Sequence, residues 1–259
     1  MNIEAHRNHY VRTYYGADAW EAVADCLAHY PKYALAYGDR EDEHAGEQFS
    51  NHVMRMLISQ YMKNRDEASP ELQWATDAQT LEEQNHWYGI LCEKAASGYE
   101  EYEQLCERTA LSLPENAKML FCDSILLQVQ IHRYCYRGAL HASCSLVRAF
   151  EGDHKRAFYE AGLAREDYLR ADQCMRDREH GKWSGFYANE CLTDVKQSAW
   201  LLEGLMYHLR NEDDGPHFYR WQRELLYAEE DSRIMLLLNL ENHLNNQEIF
   251  ELMKARWEV

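Results

Sequence analysis

On a helix, a glutamate three residues before a histidine can present two metal ligands from one face. Two such pairs with further glutamates build a two-metal site inside a bundle. The spacing occurs twice here, at Glu41–His44 and Glu83–His86. The first pair falls in a polar connector, AYGDREDEHAGE at 36–47. The second lies on a long helical pattern in which Asn85 points inward. At about 100° per residue, Glu83 then sits roughly 160° from that inner seam, so one member of the pair faces water. His132–Cys135 and His141–Cys144 also have ligand spacing. They lie about two and a half turns apart, point to opposite sides of one helix and cannot share an ion. Core packing accounts for them, and neither a metal nor a cofactor is expected. The chain has no GxSxG elbow, P-loop or GxGxxG motif. Its eight cysteines and thirteen histidines allow many nucleophile–base pairings, and nothing selects one. No catalytic residue is assigned.

What remains is aromatic chemistry. The chain holds seven Trp, eighteen Tyr and seven Phe. A tyrosine combines a flat apolar body with a polar tip, which suits a sugar face or a protein interface. The stretch DREHGKWSGFYANECLTDV, at 177–195, interrupts a helical pattern with two glycines. It offers Lys182, Trp183, Phe186 and Tyr187 as exposed binding groups. A second break offers His217, Tyr219 and Trp221. Segments between rigid elements commonly carry binding residues. A carboxylate on a ligand could meet Lys182, Arg133 or Arg137. For the two arginines, on the polar line Gln130–Arg133–Arg137–His141, internal ion pairs are the simpler expectation.

The elements that must position these groups are helices. Only four prolines occur, and few segments are rich in Val, Ile or Thr at period two, which gives little sign of a sheet. Trp74, Ala78, Leu81, Asn85, Tyr88, Cys92, Ala95, Tyr99, Tyr102, Cys106 and Thr109 recur at spacings of four and three. That is the seam of a long helix from about Ser69 to Leu111. A second long helix, apolar nearly all round, is expected over 119–150, and a third from about Phe158 to Met175. Helices are also expected at 18–29 and 46–63, from Thr193 to about Leu209, and near 217–228, 232–243 and 246–257. The expected fold is all-α: an elongated, irregular up-and-down bundle with three long central helices. The chain reads as one helical domain, 1–259, with a subdivision at 1–183 and 184–259.

The formal net charge of −17 repels phosphate backbones, so nucleic acid is not an expected partner. No 18-residue apolar run predicts a membrane span. The start, MNIEAHRNHYVRTYY, is not a signal peptide. Scattered cysteines without a CxxC pair fit a reducing cytoplasm, or secretion if the chain is a fragment of a larger enzyme.

Three stretches resemble the helical region that follows the catalytic barrel in glycoside hydrolase family 115, the xylan α-glucuronidases. YYGADAWEAVADCLAHYPKYALA (14–36) resembles its helix ending in a Tyr-Pro-Lys-Tyr-like element. LSLPENAKMLFCDSILLQVQIHRYCYRGAL (111–140) resembles its Leu-Pro turn and long apolar helix. REHGKW (178–183) resembles its Gly-Lys-Trp element. After Trp183 the chain departs from that pattern into GFYANECLTDVKQSAW and more helix, and the barrel is absent. No catalytic residue is therefore carried over.

The resemblance implies a non-catalytic accessory domain of a carbohydrate-active protein, structural and in contact with glycan. A catalytic barrel domain or a second copy would be its protein partner. The alternative is a self-contained interaction or dimerisation module working through the Tyr-rich seam. A weaker alternative is an enzyme with a pocket between helices.

Overall fold

The computed structural model describes residues 2–36, 44–45, 47–189, 195–215, 220–226 and 244–257. The fold is all-α. Among the described residues the sole extended structure is one two-residue antiparallel pairing, Leu35–Ala36 (β1) with His44–Ala45 (β2). The helices are α1 (Ile3–Tyr15), α2 (Trp20–Ala28), α3 (Tyr30–Tyr33), α4 (Glu47–Asn64), α5 (Leu81–Ser112), α6 (Glu115–Phe121), α7 (Leu127–Phe150), α8 (His154–Arg176), α9 (Val195–Asp213), α10 (Arg220–Leu226) and α11 (Asn246–Trp257). The helix expected at 232–243 lies outside the described residues. None of the described helices is long and apolar enough to cross a membrane.

The longest helix begins later than the apolar spacing predicts. Ser69 and Pro70 open only a 3-10 turn, Pro70–Leu72. The true start is a capping box. Thr80 Oγ1 accepts from the Glu83 N–H at 3.1 Å, and the Glu83 carboxylate accepts from the N–H groups of Gln79 (2.8 Å) and Thr80 (3.1 Å). Glu83 is therefore a cap rather than half of a metal pair. From Leu81 onward the seam holds: Asn85, Tyr88, Cys92, Ala95, Tyr99, Tyr102 and Cys106 are all buried. Trp74, expected on that seam, precedes the helix and is exposed.

The second long helix also differs in detail. A π-helical turn, Cys122–Leu126, joins α6 to α7. The Ser124 hydroxyl bonds back to the Leu120 carbonyl at 2.6 Å and meets the Tyr15 hydroxyl at 3.1 Å. The apolar spacing of the sequence does not predict α1. It buries only Val11, and its start is fixed by Asn2, whose side chain accepts from the Ala5 N–H at 3.1 Å.

The chain forms two compact units, neither continuous in sequence. The first comprises Met1–Asn51, Ile90–Arg137 and Tyr168–Val195; the second comprises His52–Gly89, Gly138–Asp167 and Lys196–Val259. Consecutive blocks would not produce this division, because α5, α7 and α8 each contribute a segment to both units.

In the first unit Val11, Val23, Cys26, Tyr102, Phe121 and Tyr136 share one core. Tyr99 stacks on Tyr136 at 5.4 Å and on His132 at 4.9 Å, which places His132 in ring packing. Arg133 pairs with Glu103, which is 5 % exposed, and reaches Glu100 at 3.3 Å. Gln130 donates to the same Glu103 at 3.1 Å. Gln130 and Arg133 of the polar line on α7 are thus internally paired, with two carboxylates facing one guanidinium.

In the second unit Leu57, Ile58, Tyr88, Phe158, Leu202 and Phe250 are buried. His141 lies 2.8 Å from Glu160. Asn85 and Ser143 exchange side-chain-to-carbonyl bonds of 3.0 and 3.2 Å where Gly89 allows close approach.

Candidate functional site

The break at 177–189 belongs to the first unit and is a constructed element. Arg176 ends α8, and two 3-10 turns follow, Gly181–Trp183 and Phe186–Asn189. The chain reverses at Gly181 and Gly185, whose φ values of 55° and 74° suit glycine. Glu179 holds the two turns together. Its carboxylate accepts from the Gly185 N–H at 2.9 Å and from the Tyr187 N–H at 2.7 Å. Charge-assisted bonds of this kind are about twice as strong as neutral ones. A second anchor comes from the π-helical turn. Asp123 lies 2.7 Å from the His180 ring and 3.8 Å from Arg178.

These anchors present rings to water. Trp183 is 47 % exposed and Phe186 59 %. They meet edge to face at 5.2 Å, and Phe186 meets Tyr187 in the same way at 5.1 Å. The Lys182 ammonium lies 4.9 Å from the Trp183 ring centre. The cluster thus combines exposed ring surface with a cation, on a backbone fixed by carboxylates. Tyr187 is half-buried, so Phe186 is the second open ring.

The other expected break does not join it. Trp221 is corrected from an exposed group to a core residue. It is 0 % exposed, and its indole N–H donates to Asp213 at 2.7 Å. Its ring packs edge-on against Phe158 at 5.2 Å. An indole with its one donor satisfied is readily buried, which is why position in a break misled. His217 and Tyr219 lie outside the described residues.

Sequence reasoning missed a groove of about 660 Å³ within the second unit. His52, Arg55 and Lys63 of α4 line it, with Glu71 and the exposed Trp200 of α9. The helical spacing of those three basic or titratable side chains on α4 was the available signal. The acidic average of the whole chain masked it.

No described group of three or more His, Cys, Asp or Glu side chains is arranged to hold a metal ion. Protein-family models, curated proteins and solved structures provide no match to this chain.

Proposed function

We propose that the chain is a non-catalytic helical binding domain of a carbohydrate-active protein, and that it holds glycan against Trp183 and Phe186. One observation carries this reading: two neighbouring rings stand open to water on a segment that Glu179 and Asp123 hold in place. A sugar ring offers C–H groups to such a surface, and Lys182 beside it suits a carboxylate on an acidic or branched glycan. The three stretches resembling the family 115 helical region add to it. Residues 14–36 and 178–183 fall in the first unit, as does the stretch 111–140 up to Arg137; its last three residues belong to the second.

An exposed Tyr-rich seam would favour the alternative of a self-contained interaction module; Tyr88, Tyr99 and Tyr102 are buried and lend it no such support.

Titration calorimetry with xylo-oligosaccharides, with and without glucuronic acid branches, tests the proposal. The parent should bind. Trp183→Ala with Phe186→Ala should weaken binding by about tenfold or more, at about 1 kcal/mol or more per lost ring contact. Circular dichroism should stay unchanged, because both rings are exposed. A parent that binds none of the panel at millimolar ligand, or a double variant that binds equally well, overturns the reading.

A further inference from the structure

Two cysteines far apart in sequence meet in the core of the first unit. Cys26 of α2 and Cys106 of α5 are 1 % and 0 % exposed, and their sulfurs lie 3.6 Å apart. That is van der Waals contact for two thiols, and closing it to a covalent bond of about 2.05 Å needs a sulfur movement of roughly 1.5 Å. We propose that Cys26 and Cys106 are an oxidative modification site, a dithiol that a hydroperoxide converts to a disulfide linking α2 to α5. This inference is independent of the glycan reading.

The surroundings favour one sulfur as nucleophile. Cys106 hydrogen-bonds to Cys26 and draws its thiol down against the opposing effect of burial, with Thr109 and Tyr102 adding to the pull. The same contact pushes the Cys106 thiol up. By contrast Cys174, elsewhere in this unit, is pushed up to about 11, chiefly by burial. A lowered thiol holds more thiolate, the reactive form.

The chemistry balances in two steps. The Cys26 thiolate attacks one oxygen of hydrogen peroxide, the O–O bond breaks, and Cys26 becomes a sulfenic acid with release of hydroxide. Cys106 then attacks that sulfur, and the sulfenic oxygen leaves with a proton as water. The hydroxide takes the proton that Cys26 lost. Two thiols and one peroxide give one disulfide and two waters. The peroxide is reduced by two electrons, which the sulfurs supply. Both sulfurs are buried, so the peroxide reaches them through transient local opening of the core.

The intact reduced chain is treated with hydrogen peroxide, unfolded, alkylated, digested without reductant and mapped by mass spectrometry. The expected product is a Cys26 peptide joined to a Cys106 peptide, lighter by two hydrogens and released by dithiothreitol. Its melting temperature should rise by several degrees, because the bond closes a loop of about 80 residues. Cys26→Ala and Cys106→Ala should each lose the linked peptide, with helicity checked by circular dichroism. If either variant fails to fold, the parent map and melt decide alone. Full alkylation of both cysteines after peroxide overturns the proposal. So does linkage of either to a different cysteine, or a product that melts lower than the reduced chain.

Discussion

A β-carbon at Gly162 would stand 2.2 Å from Cδ2 of Phe250. α8 and α11 therefore approach in the second unit through the absence of a side chain. Ordinarily Gly→Ala inside a helix gains about 1 kcal/mol. Here the overlap is with a ring that is 1 % exposed and cannot swing into water. Overpacking costs typically about 1–3 kcal/mol. Gly162→Ala is expected to lower stability in urea unfolding by about 1–2 kcal/mol. Adding Phe250→Leu should recover part of that loss. A more stable single variant would show that the helices slide apart freely.

Glu179 fixes the segment that carries Trp183 and Phe186, without contributing to the main core. Glu179→Ala should leave the melting temperature within about 2 °C of the parent. It should speed amide exchange at Gly185 and Tyr187 by roughly 10- to 100-fold, the loss of one charge-assisted bond at each. Exchange unchanged at both amides would mean that the two 3-10 turns hold themselves.

Glu103 is nearly buried, and its counter-charge comes from Arg133 with help from Gln130. Arg133→Leu leaves that carboxylate without its cation and should cost about 3–5 kcal/mol. Replacing both residues, Glu103→Leu with Arg133→Leu, removes the orphan and should come back to within about 1–2 kcal/mol of the parent. A double variant as unstable as the single would show that Gln130 and Glu100 depend on the pair.

The inward faces were legible wherever packing alone chose the residue. Tyr88, Cys92, Ala95, Tyr99, Tyr102 and Cys106 recur at helical spacing because one side of α5 meets other helices along its length. The start of α5 was not legible from that pattern. Ser69 and Pro70 satisfy a local start rule, but Thr80 and Glu83 satisfy it reciprocally and prevail. α1 was not legible because a helix burying only Val11 has little apolar period. At the candidate site Trp183 stood out through the glycines around it. Its supports did not, since Glu179 reaches forward over an irregular turn and Asp123 meets His180 across 57 positions. Neither relationship has a period. Trp221 was misplaced for the opposite reason, because the sequence shows its donor but not the carboxylate waiting for it.

Acid should weaken the second unit through Glu83 and Asp213. The backbone N–H groups of Gln79 and Thr80 hold the Glu83 carboxyl below its ordinary value of 4.5. Burial alone would raise Asp213, yet hydrogen bonds from Arg220 and Trp221 outweigh it and bring the carboxyl below 3.8. Both folded values lie under the unfolded ones, so the unfolded chain binds protons first as pH falls. The stabilisation is complete above those ordinary values and is lost as pH drops through the folded values. Thermal melts from about pH 6 to about pH 2.5 should show a falling midpoint across that window. Glu83→Gln combined with Asp213→Asn should melt lower at neutral pH and fall less steeply in acid. Curves that stay parallel down to the lowest pH would remove these two carboxylates from the acid response.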